Sequence, residues 1–454
     1  MTVSPEGTSM TAAYQDPLAI KPFTRPVSGS VEVPGSKSIT NRMLLLACMA
    51  DRPVKLTGAL FSDDSRYMID CLRKLGFKLS DDEVAKSIEV SGTGGKIPAG
   101  SSSLFVGVAG TAARFLTAFC STRDSGKFEI DGTEQMRKRP MKGLLDALQQ
   151  QGTVIDSQAG FLPAKLSPRG LKGGRLSLEA SSSSQLLSAL LMVAPLAESN
   201  MEIEVSGGAE EKPFVKLTQS LMYRFGQPPQ ETESLANGNT LIKVKAGNPY
   251  RIPEVVAIEP DATAASYFLS LPLVIGGSVI VTGLFSNSIQ GDYQYTKVLT
   301  ELGMIIEETD SGTKASIPIK ELPGTAVKRN FWPISDTFLT LAAVAPVIKG
   351  LTRIEGIGHT RHQESDRITA MANELIKLGQ WIEQGEDFLE IQPGLIVPSE
   401  VMTYEDHRVA MSFGILGCFN LYADGTPWLS IKDPGCCAKT FPDFFNVLEK
   451  LRMA

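Results

Sequence analysis

The chain has 454 residues, about three times the commonest single-domain length, with 43% hydrophobic and 21% charged residues; two well-cored domains are expected, and a disordered or collagen-like chain is excluded. A net charge of −6 argues against a nucleic-acid partner, which needs a basic face, so any anionic ligand must be met by local clusters of cations. Six cysteines without zinc-site spacing and only three histidines favour reduced thiols and speak against a metal site.

The first thirty residues are polar and contain proline, with neither the cationic start nor the apolar core of a signal peptide. The longest apolar stretch, Tyr267 to Leu284, is broken by Pro272, Gly276 and Gly277, too interrupted for a membrane-spanning helix. A cytoplasmic protein without a membrane partner is expected.

Along the chain an amphipathic helix repeatedly ends in glycine before a strand-like run. The segments Tyr67 to Gly76, Leu144 to Gly152, Leu217 to Gly226, Val298 to Gly303 and Ile368 to Gly379 show it, and Phe444 to Leu451 is a sixth helix of this type. A second helix type is apolar on most faces and therefore buried: Ser36 to Cys48, Gly110 to Cys120, Ser183 to Leu191, Asp261 to Leu271, Asp336 to Val344 and Asp406 to Leu416. Three units precede residue 250 and three follow, which predicts two similar α/β domains. Gly247 to Pro253 is the expected hinge.

The chemically rich residues sit at the starts of the buried helices, where unpaired N–H groups and a partial positive charge favour anions. Pro34-Gly35-Ser36-Lys37-Ser38 leads into Arg42, and Gly110-Thr111 leads into Arg114. Arg137-Lys138-Arg139 packs three cations into one turn, and Ser181 to Ser184 with Gln185 puts hydroxyls at a helix start. The C-terminal half adds Asp336, Glu364-Ser365-Asp366-Arg367, Asp406-His407-Arg408 and Lys439. Carboxylates among cations suit proton exchange on an anionic substrate. A structural ion-pair network is the competing reading.

Taken in order, Pro-Gly-Ser-Lys-Ser-x-x-Asn-Arg, Ala-Gly-Thr-Ala-x-Arg, Arg-x-Arg-Pro, Ser-Ser-Gln, Glu-Ser-Asp-Arg, Asp-His-Arg-x-Ala-Met and Ala-Lys-Thr-Phe-Pro resemble the enolpyruvyl transferase family, in its branch that acts on shikimate 3-phosphate. The resemblance runs from about Pro34 to the C-terminus. It implies an inside-out α/β barrel in each of two similar three-repeat domains, 35–252 and 253–454, with 1–34 as an extension and crossing strand packed on the second and a cleft between the two. It also implies transfer of the carboxyvinyl group of phosphoenolpyruvate to a hydroxyl, with no cofactor or metal, by a monomer.

By the same resemblance Lys37, Gly110, Arg139, Gln185, Arg367, Arg408 and Lys439 bind phosphoenolpyruvate. Ser38, Arg42, Ser183, Ser184, Gln185, Asp336 and Gln363 bind the acceptor. Asp336 takes the hydroxyl proton, and Glu364 protonates and deprotonates the methylene carbon with help from Lys37. The catalytic-loop cysteine of the cell-wall branch is absent, with Gln135-Met136-Arg137 in its place.

Five positions depart from the pattern: Val108, Glu211, Phe214, His359 and Gln363. A carboxylate at Glu211 close to a bound phosphate would repel it by roughly 1–4 kcal/mol, unless it turns away or pairs with Lys212. Three readings stay open: a shikimate-pathway enzyme, a paralogue that uses another acceptor such as a nucleotide (UMP) or a cyclohexene acid, and a non-catalytic binder on the same fold.

Overall fold

The computed structural model describes residues 14–180, 183–206, 208, 211, 213–317 and 326–454. The outer helices Asp63–Lys74, Lys142–Gln150, Pro213–Arg224, Tyr295–Glu301 and Arg367–Lys377 each stop two residues before a glycine: Gly76, Gly152, Gly226, Gly303 and Gly379. These glycines have φ of +88°, +97°, +89°, +84° and +84°, a left-handed conformation that ends a helix and strains any residue with a Cβ. The sixth, Phe444–Met453, packs Phe444 and Leu448 inward.

The buried helices are Lys37–Met49, Gly110–Cys120, Ser184–Val193, Ala262–Leu269, Phe338–Val344 and His407–Leu416. Leu44, Leu45 and Leu46 are all fully buried, so this helix is covered on every face rather than along one stripe. One start differs from expectation. Asp336 lies in a 3-10 segment, Trp332–Thr337, in which Ile334 leaves helical geometry (φ −138°, ψ 37°). The Thr337 hydroxyl donates to the Ile334 carbonyl at 2.7 Å, and the α-helix restarts at Phe338.

Among the described residues the strands form six open sheets with one recurrent topology, and none closes into a barrel. In each, a parallel pair is extended by antiparallel strands. Ser101–Phe105 runs parallel to Lys127–Asp131, followed by Ala164–Ser167 and Val154–Ser157. Two sheets take their parallel strand from far along the chain: Val255–Ala257 joins Pro53–Thr57, and Val27–Val31 joins Gly277–Thr282. A third is completed by Leu18–Ala19 against Leu429–Ile431.

Two apolar cores result. One gathers residues from Ile39 to Ile258, and the other combines Ile20 to Val33 with Ala262 to Leu451. The chain passes between them twice, at neighbouring places: Ser36 N–H donates to Glu259 O and Asp261 N–H to Pro34 O, both at 2.8 Å. The Gly247 to Pro253 segment is held on the first core, where Tyr250 is buried and its hydroxyl donates to Met192 O at 2.8 Å. No helix among the described residues is long and apolar enough to cross a membrane; Tyr267 to Leu284 is spread over two short helices and a strand.

Candidate active site

Between the two cores lies a cavity lined from both sides. Its first wall carries Lys37, Ser38, Arg42, Thr111, Arg114, Arg139, Ser183, Ser184, Gln185 and Phe214; its second carries Asp292, Trp332, Ser335, Asp336, His359, His362, Gln363, Glu364, Arg367 and Arg408. Lys37, Thr111, Ser184 and Arg408 belong to the first turns of buried helices, so several positive dipole ends meet here. Ser183 caps its helix by accepting from Gln185 N–H at 3.2 Å. Ser181 and Ser182 lie outside the described residues.

The second wall is charge-matched. Arg367 is 1% exposed and donates to three carboxylates: Asp336 Oδ1 at 3.1 Å, Glu364 Oε2 at 2.9 Å and Asp406 Oδ2 at 2.8 Å. Arg408 Nη2 lies 2.9 Å from Asp336 Oδ2, and Lys439 Nζ 3.0 Å from Glu364 Oε1. Burial works against ionising Asp336, but the guanidiniums of Arg408 and Arg367 outweigh it and hold the carboxyl below its ordinary range. Burial likewise opposes the Glu364 charge, and Lys439, Arg367, Arg139 and Lys37 together drive this carboxyl well below the usual value. Both carboxylates are ionised bases at neutral pH.

The first wall is not matched. Lys37 Nζ lies 3.4 Å from Asp64 Oδ2, but Arg42, Arg114 and Arg139 have no carboxylate within ion-pair distance among the described residues. Arg42 is 2% exposed. It donates to Thr218 Oγ1 at 2.7 Å and to the carbonyls of Ser38 and Phe214 at 2.9 and 3.0 Å, and sits over the Phe115 ring. Burial pushes its pKa down to about 9. Arg114 donates to Gly110 O at 3.2 Å and Pro140 O at 2.7 Å, and burial, with the neighbouring charge of Arg139, holds its pKa well below the ordinary value. Arg42 and Arg114, buried and hydrogen-bonded only to neutral groups, bind an arriving anion strongly, because their desolvation is already complete.

Most residues singled out from the sequence line this cavity. Gly110 and Lys439 stand just behind it. Lys439 pairs with Glu364, and Gly110 makes room for cations: a Cβ there would lie 2.7 Å from Arg114 Nη1 and 2.8 Å from Arg139 Nη1. Those atoms are tips of flexible side chains, so Gly110→Ala is expected to fold normally while displacing Arg139. Steady-state kinetics should show the KM for the anion bound by Arg139 rising by about tenfold or more, the scale of one charge-assisted hydrogen bond.

Of the cation triplet, Arg137 pairs with Asp131 at 2.6 Å and only Arg139 faces the cavity. Of the two outcomes open for Glu211, the structure shows the one without repulsion: its carboxylate is 69% exposed and turns away to pair with Lys216 at 2.5 Å, outside the cavity lining. Lys212 lies outside the described residues. Val108 is not in the lining, whereas Phe214, His359 and Gln363 are. His359 Nε2 is 2.9 Å from Ser335 Oγ and meets Trp332 edge-on. Gln363 Oε1 accepts from Arg367 Nη1.

Sequence reasoning gave no site role to Thr111, Arg114, Asp292, Trp332, Ser335 or His362. Thr111 and Arg114 stand out as the hydroxyl at a buried helix start and the cation one turn in; nothing in the local spacing marks the others. Gln135 Nε2, in the stretch that matches the cell-wall branch's cysteine loop, donates across the cleft to Glu364 O at 3.2 Å.

The model of the EPSP synthase (3-phosphoshikimate 1-carboxyvinyltransferase) family matches residues 23–448. A 3-phosphoshikimate 1-carboxyvinyltransferase of Opitutus terrae is 48% identical over 443 residues, covering 96% of this chain and 98% of its own. One of Nostoc punctiforme is 40% identical over 95% of this chain and 98% of its own, and a chloroplastic one of Brassica napus is 37% identical over 96% and 85%. Among solved structures, EPSP synthase of Acinetobacter baumannii shares the fold with a TM-score of 0.77 at 22% identity, over 95% of this chain and 97% of that one. With its family motifs gathered on the two walls of one cleft and near-full-length relatives at this level of identity, the chain belongs to the EPSP synthase family.

Proposed function

We propose that the cleft transfers the carboxyvinyl group of phosphoenolpyruvate to a hydroxyl of shikimate 3-phosphate and releases phosphate. The observation that carries this reading is the contrast between the walls: two ionised, clamped carboxylates face three guanidiniums that lack a counter-anion. The two sequence domains, 35–252 and 253–454, act as the closing halves, in a cytoplasmic monomer.

Arg139, Lys37, Arg367, Arg408 and Lys439 hold phosphoenolpyruvate, assisted by Gln185. Ser38, Arg42, Ser183 and Ser184 hold the acceptor, with Gln363 on the opposite wall. The phosphate and carboxylate of phosphoenolpyruvate draw Lys439, Arg367, Arg139 and Lys37 away from Glu364, so its proton affinity rises, it takes a proton from solvent, and it delivers that proton to the methylene carbon. That step makes C2 electrophilic. Asp336 takes the acceptor's hydroxyl proton as the oxygen bonds to C2, giving a tetrahedral intermediate. The C2–O bond to phosphate then breaks and Glu364 removes a methyl proton, restoring the double bond. The fixed cations stabilise the departing phosphate.

The test is phosphate release from phosphoenolpyruvate with shikimate 3-phosphate, shikimate and UMP as alternative acceptors. Turnover with shikimate 3-phosphate is expected. Turnover with UMP or another acceptor in its absence transfers the reading to a paralogue, and saturable binding without turnover makes the protein a binder. Gln363→Lys adds one cation to the acceptor wall and is expected to lower the KM for shikimate 3-phosphate by about tenfold. An unchanged or higher KM contradicts this assignment of the acceptor wall.

A further inference from the structure

A second, smaller cavity opens beside the first, lined by Lys37, Ser38, Asp261, Thr263, Gln290 and Asp292 among others, and Asp292 lines both. The mechanism above leaves this carboxylate unused. Asp292 belongs to the 3-10 segment Gly291–Gln294, which packs on the Trp332–Thr337 segment that carries Asp336. It is 7% exposed, accepts a hydrogen bond from Thr263 Oγ1, and has no cation within ion-pair distance among the described residues. An isolated buried carboxylate is costly to keep ionised and holds a proton more readily than an exposed one. The charged groups that face it are Asp336 from the neighbouring 3-10 segment, Arg408 from the helix His407–Leu416 and Asp261 from the cap of Ala262–Leu269; Lys37 lines the small cavity with it.

We propose that Asp292 relays the proton that Asp336 takes from the acceptor hydroxyl, passing it to water in the small cavity. The inference rests on the transferase reading. Each turnover leaves Asp336 protonated between two guanidiniums, and the base must be regenerated. In the relay the O–H bond at Asp336 breaks and one forms at Asp292, directly or through one water, with no change of redox state. The transfer runs downhill: Arg408 and Arg367 hold Asp336 as carboxylate, whereas burial, then the charge of Asp336, push Asp292 up to about 7. Asp292 accepts a proton only when ionised, so kcat rises with pH through about 7 and levels off above it.

The experiment measures kcat against pH, together with the solvent deuterium isotope effect, for wild type, Asp292→Asn, Asp292→Glu and Thr263→Val. Wild-type turnover comes first; its absence overturns the transferase reading rather than the relay. Given turnover, Asp292→Asn is expected to lose the inflection near pH 7 and to drop kcat by roughly tenfold or more. Its isotope effect should be larger, formate or imidazole should restore rate, and the KM for phosphoenolpyruvate should change little. Asp292→Glu should retain the inflection. Thr263→Val keeps the carboxylate but removes the hydrogen bond that favours its ionised form, so the inflection should move upward by roughly one unit. Should Asp292→Asn fail to fold, Thr263→Val decides. An unchanged profile in either variant, or a loss in Asp292→Asn that neither base rescues, overturns the relay.

Discussion

Asp336→Asn is expected to reduce kcat by roughly 10²–10⁴, the range associated with losing a positioned general base, while the KM for phosphoenolpyruvate changes much less. Asp336 presents both oxygens to guanidiniums, Arg367 at 3.1 Å and Arg408 at 2.9 Å, and these hold it ionised inside a buried site. Asparagine keeps the volume and an oxygen acceptor for one guanidinium, but has no basic site for the hydroxyl proton. Alanine would be a poorer test: removing one partner of a buried pair costs roughly 3–5 kcal/mol, which would confound catalysis with folding. Thermal unfolding alongside kinetics separates the two effects. A variant that folds and retains more than about a tenth of wild-type kcat removes Asp336 from the role of base.

Glu364→Gln is expected to have an effect of the same order, roughly 10²–10⁴ in kcat, for a different reason. Glu364 is where the two walls meet electrostatically: Lys439 and Arg367 pair with it, Arg139 and Lys37 act on it from the first wall, and Gln135 holds its backbone carbonyl. Such a carboxylate is a strong base only after an anion has drawn those cations away, which ties its protonation to occupancy by phosphoenolpyruvate. Glutamine preserves the hydrogen bond from Arg367 but can neither give nor take a proton. The expected result is near-normal phosphoenolpyruvate affinity by equilibrium titration with turnover almost abolished. Loss of binding with intact kcat at saturation would make Glu364 a binding group instead.

The parts of the fold that depend on local pattern were legible in the sequence. Glycines 76, 152, 226, 303 and 379 announce helix ends because only a left-handed residue caps them without strain. The run from Leu44 to Leu46 announces a helix with no solvent face. Pairing between distant segments was not legible: nothing near Val255–Ala257 says that it completes a sheet with Pro53–Thr57, or that Leu18–Ala19 does so with Leu429–Ile431.

The site divides along the same line. Lys37, Arg139, Asp336, Glu364, Arg367 and Arg408 were readable as motif members, but their partners were not, since each partner is set by where another helix starts. Glu211 shows the consequence. Its charge is evident in sequence, yet its effect depends on direction, and it points to Lys216 and solvent. Asp292 shows the converse: an ordinary aspartate after Gln290-Gly291 gains chemical interest only because the fold buries it between two cavities and beside Asp336.

The most direct test of the account is a reaction of the wild-type protein with phosphoenolpyruvate and shikimate 3-phosphate in D2O, with phosphate and product mass followed together. One phosphate is expected for each acceptor that gains a carboxyvinyl group, with deuterium incorporated at the vinyl methylene, because Glu364, ionised before substrate binds, takes a deuteron from solvent before adding it and the resulting methyl group then loses hydrogen in preference to deuterium. Phosphate release without a carboxyvinylated acceptor, or a carboxyvinylated product free of deuterium, would contradict it.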